Sequence, residues 1–145
     1  MSVGLICSRV LATASARETA RVAAQRMAEY DVGTLVVLDP DGSGRPAGVV
    51  TDRDIATRCV AQGLDADAIP VSTLMTTPVR SIAEDASVQE ATAAMANAGT
   101  RRLVVTGAKG RAVGILSLDD VLEGLTEQVA AIGRLLERQG SGIPA

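Results

Sequence analysis

The sequence predicts an α+β fold made of two copies of one strand–helix–strand–strand–helix unit, closed as a pseudo-symmetric pair. Three observations predict it. A short motif occurs twice, as Gly48-Val49-Val50-Thr51-Asp52-Arg53-Asp54 and as Gly114-Ile115-Leu116-Ser117-Leu118-Asp119-Asp120. Each copy reads Gly, two aliphatic residues, a hydroxyl residue, two variable positions and Asp. Ala20, Ala23, Met27 and Tyr30 are matched 68 positions later by Val88, Ala91, Met95 and Ala98, a spacing that lays four residues on one helix face. Leu35-Val36-Val37 has the same offset to Leu103-Val104-Val105, whereas the motif glycines are 66 apart, so the intervening loop is two residues shorter in the second copy. Two copies are too few for an open solenoid, which needs three or more.

The elements follow in order. Val10 to Ala12 read as a short strand and Ala14 to Glu18 as a turn. Thr19 is an N-cap for a helix reaching about Tyr30. Leu35 to Leu38 make a buried strand, residues 39–44 a hairpin loop rich in Asp, Gly and Pro, and Pro46 to Val50 the returning strand. The stretch Gly42-Ser43-Gly44 is a turn rather than a phosphate loop, because no helix follows it. A helix is predicted from Asp52 to about Gln62, with Gly63 as its C′ residue. Leu64 to Thr77 connect the copies, with Pro70 and Pro78 as breakers and a helical turn at Val71 to Met75. The second copy has a strand at Val79 to Ile82 and a helix opened by a capping box, Ser87-Val88-Gln89-Glu90. Strands at Arg102 to Thr106 and Ala112 to Leu116 follow, joined by a loop at Gly107 to Gly110.

The last helix is predicted from Leu118 to about Arg138, with an apolar stripe at helical spacing. Its turns from Thr126 onward exceed what the first copy has. They must pack either on the same molecule or on a second one, and the sequence leaves both open. Met27, Met75 and Met95 are expected in the core. Gln139 to Ala145 read as a frayed tail. The divisions expected are 5–63, a connector 64–78, 79–125, a helix extension 126–138 and a tail 139–145.

Composition narrows the function. The chain has 145 residues, is 47% hydrophobic, and has no His, Trp or Phe and one Tyr. Its core must therefore be aliphatic. Without His, acid–base catalysis by imidazole and the commonest metal ligand are absent, and no nucleophile–base set stands out. No enzyme and no metal site are expected. A formal charge of −3 gives no footprint for nucleic acid or an anionic membrane, and no apolar run has the length of a membrane helix. Cys7 and Cys59 lack metal-site spacing; two reduced thiols in a cytoplasmic protein are expected over one disulfide. Ala12-Thr13-Ala14 follows an apolar run, but no basic segment precedes it, so no signal peptide is expected.

In each motif a strand runs into a helix, placing a hydroxyl, free backbone N–H groups and a carboxylate together. Such a set can hold a nucleotide's phosphate and ribose hydroxyls. The bland alternative is that Thr51 and Ser117 are N-caps and that Asp54 and Asp120 satisfy a helix dipole.

The paired motifs, the matched helices, Leu74-Met75-Thr76 and Arg101-Arg102-Leu103-Val104-Val105 resemble a tandem pair of cystathionine-β-synthase (CBS) domains over about residues 5 to 125. The resemblance implies two βαββα repeats packed as a pseudo-two-fold CBS-domain pair. It also implies a non-catalytic regulatory module that binds AMP, ADP, ATP or S-adenosylmethionine between the repeats, and a homodimer formed through helices. Carried over, a first cleft joins Thr51, Arg53 and Asp54 with Val79, Arg80, Ser81 and Ile82; Arg102 falls at the phosphate-facing position with Arg101 beside it, and since neighbours in an extended segment face opposite ways, Arg102 is the one expected to point inward. A second, weaker cleft joins Ser117 and Asp120 with Val10, Leu11, Ala12, Thr13 and Thr34. There Gly33 and Thr34 replace Arg101 and Arg102, and Asp119 replaces Arg53, so phosphate binding should be poor. The competing expectation is a ligand-free dimerisation or protein-interaction module with vestigial clefts.

Overall fold

The structure, a computed structural model, describes residues 1–140. Two three-stranded sheets each carry the same topology. In the first, β1 (Thr13–Ser15) lies parallel to β2 (Thr34–Leu38), which is antiparallel to β3 (Pro46–Thr51). The second repeats this with β4 (Ser81–Ala83), β5 (Arg102–Thr106) and β6 (Ala112–Ser117). A parallel pair needs a crossover, supplied by α2 (Ala20–Tyr30) and α5 (Val88–Ala98). Both helices start at the expected caps: Thr19 accepts from the Val22 N–H, and Ser87 and Glu90 form a reciprocal capping box. The ladders match residue for residue, Thr13 opposite Val36 and Ser81 opposite Val104, and both shift register after the last central valine. Leu35, Val36 and Val37 are fully buried, as a β-branched central strand should be.

The first strands differ from the sequence expectation. β1 begins at Thr13 rather than Val10, and β4 at Ser81 rather than Val79. The cause is the same in both copies: the ladder opens where the Ala12 and Arg80 carbonyls accept from the Val36 and Val104 N–H groups, at 3.0 and 2.9 Å. Residues before that point leave the sheet, and Val10 is 72% exposed. The helix after the first motif starts as α3 (Asp52–Asp54) and continues as a π-helix, Ile55–Val60, ending before the expected Gln62. Gly63, with φ +69°, closes it. The second hairpin loop contains a short 3₁₀ turn, Ala108–Gly110.

An exchange of arms joins the copies. Beyond the expected elements there is an N-terminal turn, α1 (Val3–Ile6), and it packs on the second unit, not the first. Its Val3 and Gly4 N–H groups donate to the Ala86 and Glu84 carbonyls, both at 2.8 Å, and Arg9 pairs with Glu84. Reciprocally, α4 (Val71–Leu74) packs in the first core and donates from Val71 and Ser72 to Glu18 and Ala16. After each arm the chain bonds back to the other unit's motif strand, Ser8 with Ile115 and Thr76 with Val49. This explains the motif glycines. A Cβ on Gly114 would stand 2.4 Å from the Ser8 carbonyl oxygen, and one on Gly48 2.5 Å from the Met75 Sδ. Cys7 lies in the same seam, and burial pushes its thiol pKa up. Both cysteines are free thiols.

The last helix, α6, spans Leu118–Gly140 and buries only Val121 and Gly124. Every described residue from Leu125 onward is exposed, so its outer turns bury no side chain against the other described elements. Gln139 and Gly140, expected in the tail, are its last residues; 141–145 lie outside the described residues.

Candidate functional site

Both motifs fold into the same local device. The Thr51 Oγ1 accepts from the Asp54 N–H at 3.1 Å, and the Asp54 Oδ2 accepts from the Thr51 N–H at 2.9 Å. Ser117 and Asp120 repeat this at 3.1 and 2.8 Å. Each is a capping box that satisfies two otherwise unpaired groups at a helix start. The box uses one carboxylate oxygen and leaves Asp54 Oδ1 available. That atom lies 3.7 Å from the Arg58 Nε, while Arg58 Nη1 donates to the Leu74 carbonyl at 2.9 Å. The Asp54 side chain is 14% exposed, so it is held in place yet reachable.

A cavity of about 200 Å³ opens between the units at this motif. Thr51 and Asp54 line it from one side, Val79 and Arg80 from the segment after α4, and, against the expectation that only one would, both Arg101 and Arg102 from the second unit, because Arg101 precedes β5 and is not bound by strand alternation. Arg80 and Arg102 have no carboxylate partner among the described residues, and Arg101 lies 4.0 Å from Asp119 with both side chains mostly exposed. An exposed pair at that distance contributes little, so all three guanidinium groups remain available to an anion. The site offers an acceptor and a hydroxyl beside a cluster of cations.

The other expected residues lie elsewhere. Arg53 is exposed and outside the cavity. Ser81 lines a shallow groove of about 330 Å³ beside α5, and Ile82 packs against the second core. Thr34, assigned to the second cleft by sequence equivalence, lines the first, because the β2–β3 ladder sets it directly opposite Thr51. Arg102 is likewise opposite Ser117, so it stands between the two motifs. Val10, Leu11, Ala12 and Thr13 line a third groove of about 600 Å³ beside α2, with Tyr30 and Arg26. Ser117 and Asp120 line none of these three cavities. The 600 Å³ groove is the roomiest, but its Arg26 is engaged by Glu18 and by the Thr13 carbonyl. The cavity of about 200 Å³ holds Arg80 and Arg102, which have no carboxylate partner among the described residues.

The sequence did not point to Val49, Ile115, Thr76, Pro78, Thr100, Leu103 and Val104 as lining residues. Val49 and Ile115 were legible in principle, since each is the motif aliphatic whose strand neighbours, Gly48 with Val50 and Gly114 with Leu116, are buried. Thr76 and Pro78 depend on the exchanged arm and leave no local signal.

Fold and site define a tandem pair of βαββα half-domains with a cleft between them. Comparison with known proteins agrees. The family model for the CBS domain matches residues 3–61 and 71–127. The chain belongs to the CBS-domain family, and is a CBS-domain pair, a regulatory module. The CBS domain-containing protein YhcV of Bacillus subtilis is 37% identical over 111 residues, covering 77% of this chain and 76% of YhcV. Hypoxic response protein 1 of Mycobacterium tuberculosis is 32% identical over 127 residues, covering 88% and 82%. The structure of PAE2072 from Pyrobaculum aerophilum complexed with AMP superposes with a TM-score of 0.75 at 29% identity, covering 88% of this chain and 99% of that one. The crystal structure of Hypoxic Response Protein I with two coordinated zinc ions gives 0.74 at 30% identity, covering 85% and 98%. The chain spans 62% of the length of the Methanopyrus kandleri protein MK0525 and 61% of a 17.7 kDa Acidianus ambivalens protein. CBS-domain proteins are generally non-catalytic, and these relatives' names carry no enzymatic function. Among the described residues no three His, Cys, Asp or Glu side chains cluster as a metal site, and no helix is long and apolar enough to cross a membrane.

Proposed function

We propose that the pair binds an adenosyl ligand of the AMP class in the cavity between its units and passes the binding on as a change in their packing. One observation carries this: the cavity brings the Thr51–Asp54 pair of one unit against Arg80, Arg101 and Arg102 on its other side. Asp54 Oδ1 would accept from the ribose hydroxyls and the guanidinium groups would hold phosphate. A volume of about 200 Å³ is below the 300–1,000 Å³ typical of small-molecule sites. Ribose and base would fill it and phosphate would sit at its mouth. That PAE2072 binds AMP supports the class of ligand. The reading includes a homodimer as the element that senses the change, energy sensing as the role, and a reducing cytoplasm, which suits two free thiols.

The test is a thermal-shift and calorimetry panel with AMP, ADP, ATP, S-adenosylmethionine, NAD and adenosine. A ligand at about 100 times its Kd adds about 2.7 kcal/mol, a rise of several degrees in Tm. AMP affinity should fall with salt, because phosphate pairing at an open site is screened. No shift with any compound would sink the sensor and favour a ligand-free dimerisation module, the reading that the bare outer turns of α6 support.

A further inference from the structure

From Leu118 the apolar residues of α6 recur at alternating steps of four and three: Leu118, Leu122, Leu125, Val129, Ile132 and Leu136. That is a 3.5-residue repeat, the period of a coiled-coil seam. Val121 and Gly124, the residues that seat the helix on its own body, are not part of this seam. The seam itself is open: Leu122, Leu125, Val129, Ile132 and Leu136 are 42–69% exposed.

The charges say what fits there. Glu123, Glu127, Arg134, Glu137 and Arg138 all fall on the side away from the seam. The positions that flank it, Thr126, Gln128, Gly133 and Leu135, are uncharged. Two such faces meet with no like charges opposed, and Gly133 lets backbones approach. An anionic membrane is a poorer match, since the polar side has three carboxylates against two arginines and no lysine. The usual obstacle to a short helix pair is the nucleation of each helix. Here it is already overcome, because the Ser117–Asp120 box and the packing of Val121 fix the first turns.

We propose that the Leu122–Leu136 seam of α6 pairs with the same seam of a second copy as a two-stranded coiled coil. This locates the homodimer of the proposed function, and the seam is argued from α6 alone. The test is sedimentation velocity on the full chain over a wide concentration range, comparing wild type with Val129→Asp/Ile132→Asp and with Glu127→Ala on the far face. The proposal expects twice the 14.8 kDa protomer mass for wild type and Glu127→Ala, and the protomer mass for the double variant, which should still unfold in one cooperative thermal transition. A double variant that stays dimeric overturns the seam and leaves a dimer formed elsewhere. A monomeric wild type overturns both.

Discussion

Thr51–Asp54 and Ser117–Asp120 close the same two hydrogen bonds with nearly equal lengths, yet their surroundings differ in charge. Where the first cavity has Arg80, Arg101 and Arg102, the equivalent positions 68 residues earlier are Ala12, Gly33 and Thr34. Where Arg58 stands behind Asp54, the second motif has Gly124, whose added Cβ would meet Ile6 and Met1. The motif carboxylate is therefore first a helix-starting device, and ligand chemistry is added by its neighbours. Recurrence of the motif marks the fold; the arginines distinguish one cleft from the other.

This contrast can be broken most directly at the carboxylates. Asp54→Ala should weaken AMP binding by about 10- to 100-fold, the weight of hydrogen bonds to a charged group at about 1.5–3 kcal/mol. Asp120→Ala should leave AMP affinity unchanged while lowering Tm comparably through its lost cap. Calorimetry showing equal losses of affinity would end the asymmetry. The motif glycines come next. Gly114→Ala drives a Cβ into a backbone carbonyl, whereas Gly48→Ala meets the flexible end of Met75. Thermal unfolding should show Gly114→Ala costing about 1–3 kcal/mol, typical of overpacking, and Gly48→Ala clearly less. The smallest effect should be shared: Thr51→Ala and Ser117→Ala should each cost about 1 kcal/mol, and a marked difference would show that the two boxes do not do the same structural work.

What the sequence disclosed was what neighbouring residues decide among themselves. The faces of α2 and α5, the central strands and the caps Thr19 and Ser87 all follow from short-range spacing. The exchanged arms did not show, because Val3 bonds to Ala86 and Val71 to Glu18, far along the chain. Without them the true starts of β1 and β4 were also hidden, since Val10 and Val79 read as strand residues until the arm takes the chain out of the sheet. Thr34 went to the other cleft for a different reason. Translating positions by 68 ignores that cross-strand pairing, here with Thr51, decides which cavity a residue faces.

The reciprocal seating of α1 and α4 has a consequence for ancestry and for dissection. A half-chain released on its own keeps a socket whose plug went with the other half, and carries a plug with nowhere to go. Two identical halves can satisfy each other by trading plugs, the logic of a swapped dimer. A gene encoding one unit would thus have yielded an intertwined twin from the outset. The mass of either half expressed alone would show whether it assembles as such a twin.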